Sequence, residues 1–149
     1  MKTEALIEII RQAFTNVELE DGIGLWEAQA IDDYEPKSTQ IEKRKTDEKE
    51  YWTSISPEEL QRCHSSLSFF DAKGMRFHLP AFLVASIKEQ VDDPIFHLTH
   101  LDDYAKSKLT VLNPEQRRAV SKYLAWCSEQ EDYEFERPLI QRVLDEYWN

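Results

Sequence analysis

Apolar residues recur three and four positions apart in one segment of this chain after another, and that spacing constrains the fold more than any other feature. Ala5, Leu6, Ile9, Ile10, Ala13 and Phe14 form one stripe, with Glu4, Glu8, Arg11 and Gln12 on the other side. This predicts an amphipathic helix over 3–15. Leu25, Trp26, Ala28 and Ile31 predict a short second helix after the Asp21-Gly22 break. It ends near Tyr34, because Pro36 pushes the residue before it out of the α region. Ser56-Pro57-Glu58-Glu59 and Asn113-Pro114-Glu115-Gln116 both read as helix starts. Each has a capping side chain, a proline at the first helical position and Glu or Gln at the third. The first runs to about His64; the second carries Ala119, Val120, Tyr123, Leu124 and Cys127 on one face. Pro138 opens a last helix whose apolar face holds Leu139, Ile140, Val143, Leu144, Tyr147 and Trp148.

The middle of the chain is patterned differently. Met75, Phe77 and Leu79 alternate with Arg76 and His78, and Leu67 and Phe69 alternate before Asp71-Ala72-Lys73-Gly74. The four residues read as a turn with Gly74 at positive φ, and the flanks as a short β-hairpin. Pro80 then opens a central buried helix to about Val91, and Ile95–Leu98 reads as an extended run. Residues 37–50 mix charges of both signs around one strong hydrophobe, Ile41, and read as a solvated, mobile loop or a frayed helix. The expected fold is mainly α: a single compact domain over 1–149 of five or six helices, with room for one short β-hairpin and a charged mobile loop at about 37–50. Phe77, Phe82, Leu83, Ile87, Val120 and Leu124 are the expected core.

The net charge is -11, and it is uneven. Residues 1–35 carry -7, residues 128–149 carry -5, and the long middle carries +1. Chain ends often lie close together, so the two acidic ends are expected to form one patch. Glu18, Glu20 and Asp21 from one end, and Glu131 and Asp132 from the other, are its expected partner-binding residues. Trp148 is expected as an exposed aromatic anchor beside them, since tryptophan is enriched in binding hot spots. Such acidity disfavours nucleic acid and anionic membranes as partners. No apolar stretch approaches the roughly 20 residues of a membrane span, and the N-terminus lacks the pattern of a signal peptide. The expected setting is cytoplasmic, with Cys63 and Cys127 as buried free thiols.

Few residues form a chemical constellation. His97 and His100 with Asp102 and Asp103 offer imidazole and carboxylate to a metal, but at a spacing that matches no standard zinc motif. On an extended segment the two rings would point to opposite faces. Cys63-His64 are neighbours that do not face each other on a helix. No glycine-rich phosphate loop is present. Arg76 and His78 read as one face of a short segment, with Arg76 in a structural ion pair. No catalytic set, metal or cofactor is expected.

The segments Phe69-Phe70-Asp71-Ala72-Lys73-Gly74-Met75-Arg76-Phe77-His78-Leu79-Pro80-Ala81-Phe82-Leu83, Ile95-Phe96-His97-Leu98-Thr99 and Leu112-Asn113-Pro114-Glu115-Gln116-Arg117-Arg118-Ala119-Val120, with Trp52 and Glu59-Leu60, carry a resemblance. Over about 22–127 the chain resembles a family of small, uncharacterised bacterial proteins catalogued as a domain of unknown function. The resemblance implies a soluble bacterial protein, with aromatic residues often standing in relatives at positions 75 and 78. It implies no activity or cofactor.

The functional expectation is a small acidic binding protein without catalysis: an inhibitor, or an immunity protein neutralising a basic protein partner. The alternative is a metal-dependent or hydrolytic enzyme using His97, His100 and the nearby aspartates.

Overall fold

The computed structural model describes residues 1–149. The chain forms nine α-helices and no strand: α1 (Thr3–Ala13), α2 (Leu25–Asp32), α3 (Lys37–Thr46), α4 (Pro57–Arg62), α5 (Ala72–Ile87), α6 (Ile95–Thr99), α7 (Asp103–Ser107), α8 (Pro114–Ser128) and α9 (Arg137–Val143). Short 3₁₀ turns occupy Trp52–Ser54, His64–Ser68 and Glu131–Tyr133, and a π turn continues α9 over Leu144–Trp148. No helix is long and apolar enough to cross a membrane.

One hydrophobic cluster runs from Leu6 to Trp148. α5 is its centre, with α1 and α4 packed on it, while α1 and α9 both pack on α8. Phe77, Phe82, Leu83, Ile87, Val120 and Leu124 are all buried, as their spacing predicts. The expected helix starts hold too. Asn113 Oδ1 accepts from Gln116 N at 2.8 Å while Gln116 Oε1 accepts from Asn113 N at 3.0 Å. Ser56 Oγ accepts from Glu59 N at 3.2 Å.

The hairpin is not formed. Asp71 is the cap of α5, its Oδ1 accepting from Gly74 N at 2.8 Å, and no glycine has positive φ. α5 runs from Ala72 straight through Pro80, although proline removes one hydrogen bond from the ladder. The period-two pattern misleads because His78 is buried along with Met75, Phe77 and Leu79. A helix enclosed on nearly all sides has no polar stripe to show its period. The extended run expected at 95–98 is also a helix, α6.

The charged segment expected as a mobile loop or a frayed helix is the helix α3 over Lys37–Thr46, packed on α2. It has no buried residue of its own, so its hold on the molecule comes from polar contacts. Gly24, at the N-terminus of α2, has no side chain to cap that helix. Asp47, just past α3, supplies the carboxylate instead. Its Oδ1 accepts from Trp26 N at 2.9 Å and its Oδ2 from Glu27 N at 3.1 Å. Glu27 reaches back to Gly24 N at 2.9 Å. A Cβ on Gly24 would collide with the Asp47 carboxylate. Arg44 of α3 donates to Glu20 O at 2.8 Å and Gly22 O at 3.2 Å.

On its other side the same loop meets α5. Ile23 N donates to Asp71 Oδ1 at 3.0 Å, so one carboxylate oxygen serves both the loop and its own helix. A Cβ on Gly22 would stand 2.7 Å from Gly74 N, and one on Gly74 would stand 2.6 Å from Ile23 O. The chain's three glycines therefore lie at one junction: backbones approach too closely for a side chain at 22 and 74, and the Asp47 carboxylate fills the space at 24.

That junction reverses an ordinary expectation. Gly→Ala inside a helix normally stabilises by about 1 kcal/mol. Gly74→Ala is expected to destabilise by roughly 1–3 kcal/mol instead, because a rigid carbonyl must move. Denaturant midpoints of the two proteins measure the sign directly.

Candidate functional site

The acidic residues expected to form one patch are divided among three places. Glu20 and Asp21 lie at the junction, where cations of α5 occupy them. Arg76 Nη2 lies 2.7 Å from Glu20, and Lys73 Nζ lies 2.7 Å from Asp21 and 3.4 Å from Glu20. The Lys73 ammonium, hydrogen-bonded to Asp21, holds that carboxyl below its usual range. Glu18 is exposed and lines a separate cleft with Arg11, Tyr51 and Trp52. That cleft sits at the C-terminal end of α1. An eleven-residue helix is about 16 Å long, and Asp132 lines a depression beside Thr3, at its N-terminal end.

Trp148 is not an exposed anchor. It is 4% exposed, and its Nε1 donates to Leu98 O at 2.9 Å. The π turn carries the chain past the end of α9 and lays the ring against α6. The exposed aromatic near the acidic C-terminal segment is instead Phe135, at 91%.

The depression beside Thr3 has a volume of about 580 Å³. Glu89, Asp92, Asp93 and Asp132 line it, with Trp126 and Tyr133 among its walls. Asp93 accepts from Tyr133 Oη at 2.9 Å and from Ile95 N at 2.9 Å, so it is held in place. Asp92 accepts from Gln61 Nε2 at 2.8 Å. Burial is the main reason, and Asp93 the next, that the Tyr133 phenol is pushed above its usual range. Every ion pair in the protein lies elsewhere, so no cation of the chain neutralises these four carboxylates. Glu89 has φ of 60°, a left-handed conformation at the end of α5 where glycine is cheapest. Sequence arithmetic missed this arrangement because three of the four residues belong to the nearly neutral middle segment.

His97 and His100 flank the Phe96 ring, with centroids 5.4 Å and 4.2 Å away. No group of three or more His, Cys, Asp or Glu side chains is arranged to hold a metal. Asp102 caps α7, accepting from Ala105 N at 2.8 Å. Cys63 and Cys127 are buried free thiols, each pushed up to about 12 by burial, and such thiols are poor nucleophiles.

Arg76 pairs with Glu20 as expected, but His78 does not share its face. His78 is fully buried, stacked on Phe70 at 4.4 Å. Its Nδ1 lies 2.7 Å from Gly74 O. A carbonyl only accepts, so Nδ1 carries the proton and Nε2 is an acceptor that no donor reaches.

Comparison with known proteins returns one result. A protein-family model described as a family of unknown function matches residues 2–149, a wider span than the motifs alone suggested. No curated protein and no solved structure matches the chain.

The buried imidazole makes stability depend on pH. Burial pushes His78 down to about 4, against an ordinary value near 6.5. Between these values the unfolded chain binds a proton that the folded one refuses, so stability present above pH 6.5 is lost as pH falls toward 4. The loss is on the order of 3 kcal/mol from His78. Burial moves His97 in the same direction. His78→Phe is expected to lose clearly less stability than wild type between pH 7 and 4.5. Denaturant titrations at the two pH values check this.

Proposed function

The chain belongs to DUF6714, a family of unknown function, and from that premise we propose that it is a non-catalytic binding protein whose partner presents a basic segment to the acidic depression. One observation carries the reading: four carboxylates converge on an open, aromatic-walled depression and no cation of the chain pairs with them. A lysine- or arginine-rich segment would find counter-charges there, and the Trp126 and Tyr133 rings could support its cations by cation–π contact. Phe135, two residues beyond Tyr133, adds an exposed apolar group of the kind that anchors interfaces. The net charge of -11 would steer a basic partner toward the surface and raise the on-rate. An inhibitor, or an immunity protein masking a basic partner, is the form of this reading that the charge suits.

The backbone supplies a second argument. Glu89 holds a left-handed conformation that costs most residues stability and glycine little. Retaining a carboxylate there is explained if the carboxylate has work at the depression. Glu89→Gly is therefore expected to stabilise the protein by roughly 0.5–1 kcal/mol while weakening binding.

A lysine-rich peptide is the direct probe. Its association at low salt is expected to slow about tenfold in Asp92→Lys/Asp132→Lys. The control Asp145→Lys/Glu146→Lys makes the same change in net charge on exposed residues of the C-terminal turn. Equal slowing in both variants, or none in the first, would reduce the depression to a solvated surface.

A further inference from the structure

A second cavity, of about 150 Å³, has the opposite chemistry. Residues of α6 and α7 form it, with Ser68 at the end of the His64–Ser68 turn and Met75 from α5. Lys108, immediately after α7, lines it and is 5% exposed. Its Nζ donates to Leu67 O at 3.2 Å and Ser68 O at 2.5 Å, and lies 4.2 Å from the Tyr104 ring. No carboxylate forms an ion pair with it. A buried ammonium without a counter-ion is costly. Two carbonyls take two of its three donors, and no oxygen accepts from the third.

The surroundings add further basic side chains. His97 and His100 line the same cavity. Burial pushes His97 down to about 4, and the next causes are repulsion from Lys108, His64 and His100. Three basic side chains, Lys108, His97 and His100, therefore line one small cavity in a chain whose net charge is -11. The one carboxylate in the lining, Asp102, is engaged by the first turn of α7. Capping the 64–68 turn accounts for the two carbonyl contacts of Lys108. It does not account for two imidazoles lining the same cavity as the ammonium.

We infer that this cavity is an anion-binding site for a small ligand bearing a carboxylate or phosphate group, with Lys108 as its counter-ion and His97 and His100 as hydrogen-bonding groups. The volume equals that of roughly five water molecules, so it takes a head group and not a whole ligand. The rest of the ligand lies outside, against Phe96 and Tyr104, which are 62% and 61% exposed. A flat apolar body such as an aromatic ring suits those two side chains. The site is independent of the acidic depression, and either can fail without the other.

Burial pushes Lys108 down to about 8, with Asp102 opposing. The titratable groups that line the cavity with it are His97 and His100 from α6 and its end, Asp102 at the start of α7 and Tyr104 within it. Above pH 8 the amine loses its charge and the anion loses its partner. A bound anion favours the charged amine, so binding takes up protons near pH 8.

Benzoate and inorganic phosphate are the probes, titrated into the full chain by calorimetry and by amide chemical shifts. Saturable binding of at least one is expected at pH 7, with shifts at residues 96–108. Benzoate keeps its charge between pH 7 and 9, so it isolates the protein's titration. Its affinity is expected to fall at least fivefold over that range. Lys108→Met is expected to abolish binding. If that variant does not fold, His100→Ala, a change at an exposed residue, decides: a several-fold loss supports the site and unchanged affinity overturns it. Absence of binding by either probe at millimolar concentration, or equal binding by a folded Lys108→Met, also overturns it.

Discussion

The structure depends on two carboxylates placed where side chains cannot be. The loop at 20–24 lies between the end of α3 and the start of α5; glycine at 22 and 74 lets the backbones touch, and glycine at 24 leaves room for the Asp47 carboxylate. Asp47 caps α2 from outside that helix, and Asp71 caps α5 while holding the loop at Ile23. Asp47 is 6% exposed, and burial raises its carboxyl above the usual range against the pull of the two amides. With none of its own residues buried, α3 is held by this cap and by Arg44, which reaches Glu20 O, Gly22 O and Glu27. The ion pairs of Glu20 and Asp21 lie over the same junction and are mostly exposed, so they are the lesser part of its stability.

The legible part of the sequence was the part with one-sided helices. α1, α8 and α9 each show an apolar stripe, and the Ser56 and Asn113 caps appear in the chain as they appear in the fold. α5 was read as a hairpin and a later helix because it is enclosed almost all round, which erases periodicity, and because Pro80 resembles a start. The α3 segment reads as a mobile loop or a frayed helix because nothing local stabilises it. Its partner carboxylate acts on amides about twenty residues earlier, a contact that no window of sequence contains.

The sites follow the same division. Counting charge along the chain located acidity at the ends, yet the fold occupies Glu20 and Asp21 with Lys73 and Arg76 and leaves Glu89, Asp92 and Asp93 free of cations. Trp148 was legible as an aromatic at the end of an apolar stripe, and that stripe carries it inward. Lys108 gave no signal, since a lysine in a polar stretch is ordinarily solvated. Only tertiary structure shows that it is buried without a counter-ion in a cavity lined by two imidazoles. The molecule thus places an unpaired acidic depression and an unpaired cationic cavity on one helical frame. The occupants we propose are a basic protein segment for the first and a small anion for the second.

Native-state hydrogen exchange on wild type and Asp47→Asn tests the junction most directly. The amides of Trp26 and Glu27 are expected to lose protection in the variant, and those of α3 to lose it with them, while α5 and α8 keep theirs. Retained protection across α3 with Asp47 neutralised would contradict the account, because the helix would then be held by something other than the carboxylate at the start of α2.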